Sequence, residues 1–135
     1  MFTCVKLLIL VCVLVACNNR KETPIDCSRL KNGKFDYRSP IAGGRILISR
    51  KDSLQTEKET ETGVEMNFRV KWLSSCEYVL TFLSFSDPKN AEKFKNIPIP
   101  VVTSKIIKIT PNYYVTQTTT DLNKRNGLDT LLILK

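Results

Sequence analysis

Residues 64–72 read Val-Glu-Met-Asn-Phe-Arg-Val-Lys-Trp. Val64, Met66, Phe68, Val70 and Trp72 fall on one side of an extended chain, and Glu65, Asn67, Arg69 and Lys71 on the other. Strict alternation with period two marks a strand with one face in a core and the other in water. The next apolar run, 76–85, follows Ser74-Ser75 and is apolar on both sides, with Tyr78, Leu80 and Phe82 on one and Val79, Leu83 and Phe85 on the other. Such a strand is expected to be covered on both faces. Its register against 64–72 is open. A tight turn at Ser74-Ser75 sets Val70 opposite Val79 and Met66 opposite Leu83, whereas one extra residue sets Val70 opposite Leu80 and Trp72 opposite Tyr78.

The same kind of pattern extends in both directions. Residues 35–37 alternate after the turn signal Asn32-Gly33, 44–50 is short and β-branched, and 53–59 follows a turn at Lys51-Asp52. Thr62-Gly63 is a further turn, because glycine accepts positive φ. Downstream, 101–109, 113–119 and 128–134 read as strands, with Asn126-Gly127 as a hairpin signal between the last two. One helix is expected: Asp87 caps it, Pro88 takes its first position, Ala91 and Phe94 share a face, and Pro98 ends it. It is expected to cover the outer face of the preceding strand. The fold class that follows is all-β, a lipocalin-like antiparallel meander of eight strands closing into a barrel with one short helix. Closure removes the exposed edges and leaves room for side chains or one small ligand. A two-sheet β-sandwich is the alternative.

The N-terminus belongs to another kind of segment. Lys6 precedes an unbroken apolar run, 7–15, which is too short to cross a hydrocarbon core as a helix and fits the apolar region of a signal peptide. Leu14-Val15-Ala16-Cys17 resembles the bacterial lipobox. The resemblance implies cleavage before Cys17, a thioether-linked diacylglycerol on that cysteine, and acylation of the new amino group. The chain then divides into a lipoprotein signal peptide (1–16), a lipidated tether (17–24) of at most ~25 Å and a single domain (25–135). The expected location is the cell envelope, on the periplasmic or surface face of the outer membrane. The formal net charge is +8 over 135 residues, and removing 1–16 takes away only Lys6, leaving +7. A basic domain raises nucleic acid as a partner. Export argues against it, as does the scatter of Arg29, Lys31, Lys34, Arg50, Lys51, Lys71, Lys105 and Lys108 along the chain, which reads as a solvated surface attracted to anionic head groups or envelope polymers.

Of five cysteines, Cys4 and Cys12 leave with the signal peptide and Cys17 carries lipid. Cys27 and Cys76 remain, in an oxidising compartment. A disulfide between them is favoured over two free thiols, and would close a loop of about fifty residues for roughly 4 kcal/mol of stability. The chain has no histidine, so it holds no Ser-His-Asp or Cys-His arrangement, and two cysteines are too few for a zinc site. Neither a metal nor a cofactor is expected. Gly43-Gly44 precedes a strand, which rules out a phosphate loop. Glu57, Glu59 and Glu61 share a strand face and read as a solvated hairpin tip. Glu65 and Glu77 would suit glycoside hydrolysis only if both faced one cleft. Met66, Phe68, Val70, Trp72, Tyr78, Leu80 and Phe82 are the residues expected to line a core or a cavity.

Four stretches taken together, 30–35 (LKNGKF), 49–55 (SRKDSLQ), 61–63 (ETG) and 70–81 (VKWLSSCEYVLT), resemble a family of small lipoproteins of Bacteroidetes-type bacteria. The resemblance covers roughly 27–85, and beyond it only the strand pattern is shared. Some relatives carry the name DNA topoisomerase IV. That activity is not supported by a domain this small, exported, and lacking a nucleotide-binding loop. The family has no assigned reaction, so the resemblance speaks to compartment and fold. The expectation is a non-catalytic, membrane-anchored, monomeric binding module for an apolar ligand or an envelope component. The alternative is an envelope interaction or inhibitor protein acting through its loops.

Overall fold

The computed structural model describes residues 25–40, 43–122 and 126–135. The expected signal peptide (1–16), Cys17 and the expected tether lie outside the described residues. A 3-10 turn, Ser28–Leu30, leads into eight strands: β1 Gly33–Arg38, β2 Arg45–Lys51, β3 Leu54–Glu59, β4 Glu65–Trp72, β5 Glu77–Phe85, β6 Val102–Ile109, β7 Tyr113–Thr120 and β8 Asn126–Leu134. One helix, α1 Pro88–Lys93, sits between β5 and β6. Each strand pairs antiparallel with the next, and β1 pairs with β8 from Lys34↔Leu134 to Tyr37↔Leu131, which closes the barrel. The sandwich alternative is thereby excluded.

Alternation places Met66, Phe68, Val70 and Trp72 of β4 inside, as their pattern requires. The register of β4 on β5 is the one with an extra residue: Val70 faces Leu80 and Trp72 faces Tyr78. The pairing then shifts, Phe68 opposite Phe82 and Asn67 opposite Ser84, leaving Leu83 unmatched and 43 % exposed. β6 and β7 shift likewise at Ile107, which is 41 % exposed. A residue inserted into one strand of a pair bends that strand and increases its twist, which helps a meander to curl shut. Two exposed apolar side chains are thus by-products of closure.

The turns divide between two ends. Residues 52–53, 73–76 and 110–112, together with the N-terminal segment and the end of β8, gather at one end. Residues 39–40, 43–44, 60–64, 86–101 and 121–122 form the other, the mouth. Gly63 at the mouth takes φ +72°, as the Thr62-Gly63 turn demands. Asn126-Gly127 is not the hairpin turn. Asn126 and Gly127 already pair with Thr119 and Thr118 in β8, so the chain reverses upstream of them.

Helix α1 starts as expected: the Asp87 carboxylate accepts from the Lys89 N–H at 2.9 Å, with Pro88 at the first position. It does not cover the outer face of β5, where Leu83 stays exposed. Because of the bulge, Phe85 sits opposite Met66 and its ring lies 5.1 Å from that of Phe82. Phe94 at the helix end packs 5.5 Å from Phe85, so α1 rests against the rim of the mouth.

The N-terminal segment plugs the opposite end. Cys27 is fully buried, Leu30 nearly so, and a Cys27–Cys76 disulfide with Cα atoms 5.3 Å apart ties the segment to the β4–β5 turn. Asn32 Oδ1 accepts from the Asp52 N–H at 2.7 Å, fastening the segment to the β2–β3 turn as well. Every described strand, the core and the disulfide lie within 25–135.

Candidate functional site

The barrel interior has two storeys. The lower one, above the plug, is packed. Phe35 and Tyr114 meet edge to face at 5.2 Å across it, and Val70, Trp72, Tyr78 and Ile106 fill the rest. In their midst is Arg50, only 2 % exposed. Alternation along β2 turns it inward, so it is not the surface cation that its place among charged neighbours suggested. Its Nε donates to Gln55 Oε1 at 2.7 Å and its Nη1 to the Leu30 carbonyl at 2.9 Å. The guanidinium lies 4.4 Å from the Tyr78 ring centroid and 5.2 Å from that of Phe35. A planar, weakly hydrated cation suits such an aromatic cage. Its Nη2 and the Tyr114 hydroxyl are buried without a hydrogen-bond partner. Burial pushes the Tyr114 phenol well above the usual range; Tyr78 nearby adds to the rise and Arg50 opposes it.

The upper storey is a cavity of about 170 Å³. Its apolar wall includes Ile46, Ile48, Phe68, Leu80, Val102 and Leu131. Its polar wall includes Tyr37, Gln55, Glu57, Thr116, Thr118 and Asp129. These side chains hold one another. Tyr37 donates to Asp129 Oδ1 at 2.8 Å, Gln55 Nε2 donates to Glu57 Oε1 at 2.6 Å, and the Thr116 and Thr118 hydroxyls lie 3.3 Å apart. A relay therefore runs from the Arg50 cation through Gln55 to the Glu57 carboxylate. Desolvation raises the Glu57 pKa, partly offset by the Gln55 hydrogen bond and the Arg50 charge.

The sign of the pH effect follows. With its folded pKa raised, Glu57 holds its proton in the native barrel where the unfolded chain has lost it. Native stability is unaffected below the ordinary glutamate value and falls as pH rises through the raised one. Glu57→Gln is expected to abolish that decline, measured as denaturant unfolding free energy against pH for both proteins. An unchanged slope in the variant would show that another group carries it.

Of the residues expected to line a core or cavity, Phe68, Tyr78 and Leu80 reach the cavity and Val70 is packed core. Trp72 packs against the lower storey. Met66 and Phe82 contribute to apolar grooves at the mouth, beside Phe85 and Phe94. Glu57, Glu59 and Glu61 do not form one solvated tip. Glu57 points into the cavity, Glu59 ends β3 at the rim, and only Glu61 is an exposed turn residue. Glu65 and Glu77 start β4 and β5 at opposite ends and share no cleft. Tyr37, Gln55, Thr116, Thr118 and Asp129 escaped notice because polar residues on alternating strands read as solvent-facing. A signal was present in β3 and β7, where Gln55 and Glu57, or Thr116 and Thr118, alternate in phase with each other. No group of three or more histidine, cysteine or acidic side chains among the described residues is placed to hold a metal ion.

No protein-family model matches the chain, and no curated protein matches it in sequence. What the barrel does has to be read from its own side chains.

Proposed function

We propose that the chain is an exported lipoprotein of the cell envelope, anchored through lipid on Cys17, whose barrel is a non-catalytic binding module for a small ligand held in the upper storey. The observation that carries this reading is the cavity itself, walled by Phe68, Leu80 and Leu131 on one side and by Glu57, Asp129 and Tyr37 on the other. At about 170 Å³ it is smaller than the usual ~300–1,000 Å³ of small-molecule sites. It holds the liquid volume of on the order of half a dozen waters. A ligand of that size has an apolar body and one polar group able to donate to the carboxylates. A non-catalytic role is favoured because the chain has no histidine and its domain cysteines are joined.

Native mass spectrometry of the 25–135 domain, purified from its own host, tests the reading. A small adduct is expected that is lost on denaturation and absent from Val102→Phe, whose larger ring fills the cavity. A wild-type domain that carries no adduct, or a variant that carries the same one, would overturn it. The anchor has its own test. Cys17→Ser should move the protein out of the membrane fraction after a carbonate wash, and continued sedimentation with membranes would defeat the lipobox reading.

A protein-interaction role through the loops is the second reading. It is favoured by an apolar groove of about 290 Å³ at the mouth, lined by Val64, Met66, Phe85, Phe94, Ile97 and Ile99. A stoichiometric protein recovered from envelope extract on the wild-type domain, and lost with Phe94→Glu, would favour it over the cavity.

A further inference from the structure

The two ends of the barrel differ in how far their cations are balanced by carboxylates. Arg29, Lys31, Lys34, Lys51, Lys71 and Lys108 all belong to the plugged end of the barrel, and all are exposed. Among the described residues only Asp26, Asp52 and Glu77 oppose them there. None of the six cations is in an ion pair among the described residues. At the mouth, by contrast, the described cations Arg38, Arg45, Lys58, Lys89, Lys93 and Lys95 are equalled in number by the described carboxylates Glu59, Glu61, Glu65, Asp87, Glu92 and Asp121, and two of them are ion-paired, Arg45 with Asp36 and Lys95 with Glu92. The plugged end also displays separate aliphatic side chains, Ile25, Leu54, Leu73 and Ile107, each at least two-fifths exposed.

We propose that this end of the barrel docks on an anionic lipid surface, with the mouth turned away from the bilayer. Unneutralised cations interspersed with single aliphatic side chains suit the head-group region, where phosphates attract the charge and shallow apolar contacts add to it. The start of the described chain points the same way. Ile25, the first described residue, lies at this end, against Arg29, Ile107 and Lys108. Screening confines the attraction to about 8 Å at physiological salt. A lipid on Cys17 would keep the face within reach of the surface, so that a weak attraction suffices to orient the barrel. The docking face does not depend on what the cavity holds, and a cavity that binds nothing leaves it unaffected.

The unlipidated 25–135 domain and sedimented vesicles provide the test. The domain is expected to bind phosphatidylcholine vesicles only when they contain phosphatidylglycerol, and to be released as salt is raised. Reversing Lys34, Lys51 and Lys71 to glutamate should weaken binding by about tenfold or more. Reversing Arg38, Lys58 and Lys89, the same change of net charge at the mouth, should leave it within about twofold. Single reversals should act in the same order, which keeps the test valid should a triple variant not fold. Equal losses from both ends would show attraction by net charge alone and overturn the proposal. So would binding without phosphatidylglycerol, or capture by a soluble anionic polysaccharide with none by vesicles.

Discussion

Reducing the Cys27–Cys76 disulfide is expected to lower the stability of the domain by about 4 kcal/mol and its midpoint of thermal unfolding by more than about 10 °C. The bridge spans a sequence separation of 49, a loop long enough for its release to add substantial entropy to the unfolded chain. Its position adds a native-state cost. Cys27 is fully buried and starts the segment that plugs the barrel, and the Cys76 sulfur lies 3.2 Å from the Ile25 carbonyl. Once the tie is gone, the plug segment is held by packing, by the Arg50 hydrogen bond to the Leu30 carbonyl, by Arg29 donating to the Thr110 carbonyl and by Asn32 accepting from the Asp52 N–H. Guanidinium unfolding of the domain with and without reductant, beside the Cys27→Ala/Cys76→Ala double variant, measures the effect. A loss below about 1 kcal/mol would contradict the entropic account. Alkylation of both thiols under native, non-reducing conditions would refute the bridge itself.

Arg50→Ala should destabilise the barrel by about 3 kcal/mol or more, as buried charge-assisted hydrogen bonds and a large core volume are lost together. The substitution leaves Gln55 Oε1 and the Leu30 carbonyl without their donor and opens a hole beneath Tyr78, Phe35 and Trp72. Arg50→Lys should recover little of this, since one ammonium cannot send two donors in the directions the guanidinium fork takes or stack flat on the aromatic rings. Chemical unfolding of the two variants decides the matter. Near-wild-type stability for Arg50→Lys would show that charge alone, without the fork, holds the core. The loss should extend upward, because Gln55, released by Arg50, also positions Glu57 at the cavity.

The strand count, the inward face of β4, the turn at Thr62-Gly63, the capped start of α1 and the pairing of the two domain cysteines were all legible in the residues. Each rests on local chemistry: period-two hydrophobicity, the tolerance of glycine for positive φ, a carboxylate over a helix start, and the elimination of other partners for two thiols. What pattern could not decide was anything requiring two distant strands to be placed together. The register of β4 on β5 was undetermined because 76–85 is apolar on both faces, and the bulge at Leu83 resolved it by turning Phe85 to the rim and bringing α1 there with it. Arg50 and Glu57 read as surface charges, and nothing singled out Asp129, since a charged side chain is costly to bury and local sequence shows no partner. Closure of β8 on β1 and the course of β2 and β3 supplied Tyr37 for Asp129 and the Gln55 relay for Arg50 and Glu57. The basic face arose in the same way: cations far apart in the chain share one end because alternate turns of a meander emerge there. The amino-acid sequence by itself determined which segments are strands and which side of each is apolar, because those properties are read residue by residue. Which polar side chains face a common interior and which charges share an end depended on strand number, register and closure, and these exist only once the barrel has formed.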